Sequence, residues 1–203
     1  FGAKFYILVF RKTEAACRSW QVPVWLKPGM GGVLTGAIGF FLPEVLGSGY
    51  GLIQQALSVS SPLTERFGTL SLASLGLIFV GKLFATSFTV GSGGSGGLFG
   101  PALVSGSALG AATGLVLVRV FPALDLHPGA FAMVGMAGFL AASVRVPIAA
   151  IIMVSEITGN HGLLLPSMWV CGIAYWLGNG WTLYRSQVRT RDCSPAHRPQ
   201  SPA

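Results

Sequence analysis

Charge is scarce in this chain. Asp, Glu, Lys and Arg make up only 9% of its 203 residues, where an ordinary soluble domain carries about 25%. A folded surface so poor in charge does not stay dissolved, so the deficit excludes an ordinary soluble globule and points to lipid contact. Cysteine is also sparse: Cys17, Cys171 and Cys193 lie far apart and form no CxxC pair, which removes a zinc site and a redox motif and leaves three isolated thiols. Acidic residues number six against thirteen basic ones. No signal peptide opens the chain: Phe1 starts in mid-pattern without Met, as expected of a fragment or a trimmed piece of a longer protein.

Apolar residues account for 52% of the sequence, and glycine reaches 29; glycine is commoner in membrane helices than in soluble ones. Residues 68–118 contain one charge, Lys82. That stretch exceeds the roughly 20 residues of a single crossing, so it holds at least two apolar segments. The basic residues gather at the two ends: Lys4, Arg11, Lys12 and Arg18, then Arg185, Arg189, Arg191 and Arg198. A nucleic-acid binder concentrates basic residues in a stripe on a folded surface. Here they flank apolar segments, so nucleic acid is not an expected partner, and the positive-inside rule puts the Arg-rich tail in the cytoplasm.

The apolar runs are uneven. Residues 1–10 read as the end of a helix and 11–23 as an exposed polar connector. Residues 25–42 are a candidate span, with Trp25 near one interface and Pro43-Glu44 ending it. Gly47-Ser48-Gly49-Tyr50-Gly51 is a breaker, and 52–59 is too short to span. Residues 70–90 and 98–121 are full-length runs, divided by a second glycine breaker at 91–97. Residues 130–142 and 148–157 are shorter runs separated by Arg145 and Pro147, and 163–177 is a further run. From Tyr184 the chain turns polar, and 192–203 reads as a disordered tail. A bundle of straight helices gives even lengths near 20. Short segments interrupted by glycine or proline are instead the mark of broken transporter helices, whose free ends point at a midplane site, since irregular backbone survives at membrane depth only where protein or water satisfies it. Gly32 and Gly36, and Gly106, Gly110 and Gly114, recur at the four-residue spacing that lets helix backbones approach closely in lipid.

The chemistry is expected in residues 91–101, where a glycine-rich loop runs into an apolar helix with Pro101 in its first turn. The first amides of that helix have no intrahelical partner, and the helix dipole stands behind them, so they form an anion site that glycine lets an ion approach. Such a site suits conduction because it does not bind too tightly. Two other readings are weighed against it. Gly91-x-Gly93-x-x-Gly96 has the spacing of a dinucleotide fingerprint, but that needs a preceding strand and an acidic residue about 20 positions on, and after Gly91 no acidic residue occurs before Asp125. A flexible linker rarely sits between two apolar runs of membrane length. Lys82, one helix earlier, either adds positive potential or snorkels to an interface.

These residues resemble a known family. Gly97-Leu98-Phe99-Gly100-Pro101 resembles the GxFxP signature of the CLC chloride channels and chloride–proton exchangers. Residues 135–147, from Gly135 through Arg145 and Pro147, resemble that family's penultimate helical region. Residues 151–158, with Glu156 in an apolar helix, follow in order. Tyr184, after Gly178-Asn179-Gly180, falls where the family places its anion-coordinating tyrosine, and 43–51 matches the breaker of an earlier helix pair. The resemblance covers residues 25–191 and is to bacterial-type members.

It implies an all-α membrane protein of tilted and broken helices, with 25–191 forming the second inverted repeat and 1–24 the end of a preceding helix and its connector. It implies chloride as the substrate, protons as a second substrate in the exchanger members, no cofactor and no enzymatic activity, with the lipid bilayer and a second copy in a homodimer as partners. The backbone amides of Leu98 and Phe99 and the Tyr184 hydroxyl are the implied anion ligands, with Gly96, Gly97, Gly100 and Pro101 as the supporting loop. An interfacial aromatic anchor is the bland reading of Tyr184. Glu156 is expected to be structural, near the subunit interface, with Arg145 as its partner or as an interfacial cation. The bacterial inner membrane, C-terminus cytoplasmic, is the implied location. The family's serine-bearing GSGIP-type loop and its GxEGP-type loop with the gating glutamate do not occur in these residues, so the missing N-terminal half is expected to be needed for a complete pore. Channel and exchanger cannot be separated on this sequence. A fluoride exchanger, whose members tend to lack the tyrosine, and a non-transporting dimerisation fragment are the alternatives.

Overall fold

The computed structural model describes residues 1–46, 72–124, 126–159 and 161–184. The glycine breaker at 47–51, the short run at 52–59 and the tail at 192–203 lie outside the described residues. Within them the chain is helical: α1 (Gly2–Arg18), α2 (Lys27–Phe41), a single 3-10 turn (Pro43–Val45), α3 (Leu72–Gly91), α4 (Phe99–Val120), α5 (Pro128–Val144), α6 (Pro147–Thr158), a second 3-10 turn (His161–Leu163) and α7 (Leu164–Leu177).

Length divides these helices into two kinds. With 20 and 22 residues, α3 and α4 are long and apolar enough to cross a membrane, reaching about 30 Å at 1.5 Å per residue. The 15 residues of α2 and the 12 of α6 reach only about 22 and 18 Å by the same rise. Proline sets several of the boundaries. Pro128 and Pro147 open α5 and α6, and α2 stops just before Pro43, because proline is accepted in a first turn and disfavours helix in the residue before it. At its C-terminus α5 is broken by Arg145 in the left-handed region (φ 67°), and α6 by Gly159 (φ 61°).

The most extensive contact is α4 on α5, followed by α5 on α7, α1 on α3 and α3 on α4. Glycine permits the first of these. A Cβ built on Gly106 would lie 2.7 Å from the Gly135 carbonyl oxygen, and one on Gly135 would lie 2.6 Å from the Gly106 carbonyl oxygen. Gly110 and Gly114 meet Phe131 and Pro128 in the same seam. Gly32 and Gly36 meet nothing among the described residues, so the spacing argument holds for one of the two glycine series there. Tyr6, Ile7, Leu83, Leu103, Met136 and Leu140 form the centre of a single buried cluster.

The connector expected at 11–23 is replaced over its first part by helix, since α1 continues to Arg18. The buried residues Ala3, Tyr6, Ile7, Phe10 and Cys17 recur at helical spacing, so the exposed Lys12 and Arg18 lie on the outer face of an amphipathic helix.

Candidate anion site

The end of α3 and the start of α4 are built by the glycine loop. Gly93 takes φ 91° and donates its amide to the Val90 carbonyl at 3.1 Å, while Gly94 donates to Thr89 at 3.0 Å. This pair of bonds is a Schellman closure with glycine at its left-handed position. A Cβ on Gly94 would lie 2.6 Å from the Thr89 carbonyl oxygen, so glycine is required there as well. Gly91 still belongs to α3 and packs on the backbone of Glu14. Two of the three fingerprint glycines therefore end a helix, and the segment before them is α3 rather than a strand, which removes the dinucleotide reading.

Gly96 and Gly97 are then free to bring the chain into α4 with their backbone exposed. Leu98 is the N-cap residue, its side chain is buried, and no side chain caps the helix. The other described caps also lack a side-chain bond, so an open N-terminus does not by itself distinguish α4. What sets it apart is the bare glycine approach, with Pro101 inside the first turn. Among the described residues, no carbonyl accepts from the amides of Leu98, Phe99 or Gly100.

Tyr184 arrives by a short irregular segment fixed from two sides. Gly180 turns at φ 82°, the Leu183 amide donates to the Ser143 carbonyl on α5 at 2.9 Å, and Arg11 Nη2 on α1 donates to the Thr182 carbonyl at 2.7 Å. Leu183, Leu98 and Tyr6 share one buried cluster. The Tyr6 hydroxyl is buried, with the Thr86 side chain beside it and Tyr184 within electrostatic reach. Thr86 stands a turn before the α3 end onto which the loop folds, since Gly96 lies against Val90 and Thr89. Leu98 at the start of α4 and Leu183 beside Tyr184 thus both belong to the one buried cluster. Sequence reasoning missed Arg11 and Tyr6; helical periodicity through 1–18 was the available signal.

Lys82 is 3% exposed and donates from Nζ to the Val45 carbonyl at 2.8 Å. It therefore does not snorkel to an interface but ties α3 to the turn after α2. Arg145 is engaged by α7: Nη1 donates to the Tyr175 carbonyl at 3.0 Å and the guanidinium lies 4.0 Å from the centre of the Tyr175 ring. It does not pair with Glu156, which is exposed on α6.

The described residues are all helical or irregular, with two helices long and apolar enough to cross a membrane, several shorter apolar ones and a glycine-opened helix start, the architecture of an all-α membrane protein. The family model described as voltage gated chloride channel matches residues 1–179, and the chain belongs to that family. The H(+)/Cl(-) exchange transporter ClcA of Klebsiella pneumoniae strain 342 is 36% identical over 174 residues, covering 84% of this chain and 35% of the relative. The ClcA of strain ATCC 700721 / MGH 78578 matches equally, at 36% over 174 residues. A slow cyanobacterial Cl-/H+ antiporter, solved by crystallography, superposes with a TM-score of 0.70 at 25% identity, covering 87% of this chain and 40% of that one. The chain spans about a third of the length of the curated relatives it matches.

Proposed function

We propose that this chain forms the anion-binding portion of a transmembrane chloride transporter. The observation that carries the reading is the start of α4. It is a 22-residue membrane-length helix whose first amides are left open by a glycine approach, and the segment that carries Tyr184 is pinned by Arg11 and Ser143. The amides of Leu98 and Phe99 donate to chloride and are favoured by the dipole of α4. Gly96, Gly97, Gly100 and Pro101 shape the approach, and the Tyr184 hydroxyl closes the inner side. Chloride accepts hydrogen bonds and donates none, so amides and a hydroxyl suit it. Because neither is a full positive charge, the ion is free to leave.

Exchange for protons is the mode that the relatives' names favour, since both ClcA proteins and the antiporter structure are chloride–proton exchangers. The protein sits in the bacterial inner membrane with its C-terminus in the cytoplasm and works as a homodimer. The test is chloride flux and reversal potential in liposomes carrying the complete polypeptide. We expect chloride to move and an imposed proton gradient to shift the reversal potential. A reversal at the chloride Nernst potential makes the protein a channel, and no chloride movement overturns the reading.

A further inference from the structure

Tyr6 is fully buried, and its hydroxyl has no hydrogen-bond partner among the described residues. The buried Ser105 and Ser107 hydroxyls also lack a partner, but each lies within α4, where a carbonyl one turn back is within reach of a small rotation. A phenol carries its hydroxyl past its own helix and must find its partner elsewhere. The Tyr6 ring is fixed edge-on against Phe139, with centroids 5.5 Å apart at 90°, so the hydroxyl cannot be turned out to water. Among the described residues, the Thr86 side chain lies beside it and Tyr184 acts on it through charge. Neither meets it as a geometric hydrogen-bond partner, and Leu183, next to Tyr184, packs in the same buried cluster. Leaving such a group unpaired in the core is costly.

We propose that Tyr6 is a positioning residue for the inner end of the anion path, its hydroxyl donating to the oxygen of Tyr184 when an anion is bound. The inference rests on the assignment of Tyr184 as an anion ligand. When the Tyr184 O–H donates a hydrogen bond to chloride, its oxygen keeps lone pairs to offer. The unpaired Tyr6 proton matches that need. A bond received at the oxygen polarises the Tyr184 hydroxyl and makes it a better donor to the ion. Tyr6 does not itself touch the anion, because it is enclosed by α3 and α5 side chains.

The experiment is chloride titration by calorimetry on the complete protein in detergent, comparing wild type, Tyr6→Phe, Tyr184→Phe and the double variant. Tyr6→Phe removes one oxygen and keeps the ring against Phe139. We expect it to weaken chloride binding about 3- to 10-fold, as for the loss of one hydrogen bond, and the double variant to bind no more weakly than Tyr184→Phe alone. Unchanged affinity in Tyr6→Phe, or losses that add in the double variant, overturns the proposal. So does a Tyr6→Phe protein that fails to fold, since the hydroxyl is then structural. If Tyr184→Phe weakens binding and Tyr6→Phe does not, this inference alone fails. If wild type binds no chloride, or Tyr184→Phe leaves binding intact, the reading of the site fails and takes this inference with it.

Discussion

At 2.7 Å from the Thr182 carbonyl, the Arg11 guanidinium holds a segment that has no helix of its own, two residues before the tyrosine that closes the proposed site. Arg11→Ala should free that segment, lowering thermal stability by about 1–2 kcal/mol for a charge-assisted bond that is only part-buried and weakening chloride binding as well. Thermal unfolding in detergent alongside a chloride titration checks both; a stability loss with unchanged binding would separate Arg11 from the site. Lys82 supports a different joint. Lys82→Met should cost about 1–3 kcal/mol by leaving the buried Val45 carbonyl without its donor, read as a lower unfolding midpoint. Tyr184 could be singled out because it stands in register with a motif. Arg11 could not, because a run of polar residues was read along the chain instead of around a helix. Arg145 lies outside what sequence can show, since its partner Tyr175 is 30 residues away and meets it through a left-handed backbone at a helix end.

The helices are where sequence patterning did most. Proline and glycine locate the ends of α2, α5 and α6 because their backbone preferences act locally, and the observed bounds lie within a few residues of the apolar runs. What the pattern could not supply is which glycines meet a neighbouring backbone. Gly32–Gly36 and Gly106–Gly110–Gly114 share one spacing, yet only the second series lies in a described helix seam. Gly106→Val should therefore force α4 and α5 apart, with an overpacking cost of at least about 1–3 kcal/mol, whereas Gly36→Val should change the unfolding midpoint little. Similar midpoints for the two variants would refute the seam argument. At the start of α4 the donors belong to the backbone, so side-chain substitution cannot remove them. Replacing the Phe99 amide by an ester does, keeping the side chain and deleting one N–H. Chloride affinity should fall by about 10-fold or more, since bonds to a charged acceptor are worth about 1.5–3 kcal/mol.

For the whole molecule the open question is what covers the outer face of α6 and α7. Ile148, Ile152, Leu165, Trp169, Ile173 and Trp176 are all exposed there, and an apolar patch of such side chains marks either a protein interface or a lipid face. Truncation separates the two, because lipid tails are as apolar as the side chains they touch. Trp169→Ala facing lipid exchanges one apolar contact for another and changes association little. The same change in a packed interface leaves a hole that lipid does not fill, and a central tryptophan is worth about 2–4 kcal/mol there. We place the contact of the proposed homodimer on this face. We therefore expect Trp169→Ala in the complete protein to raise the dimer dissociation constant by about 30-fold or more, measured by dilution in detergent with subunit counting by light scattering. Chloride binding per subunit should stay unchanged, since Trp169 is exposed on the outer face of α7 and belongs neither to the start of α4 nor to the segment that carries Tyr184. An unaltered dissociation constant moves the subunit contact off this face and leaves the face to lipid or to the rest of the polypeptide.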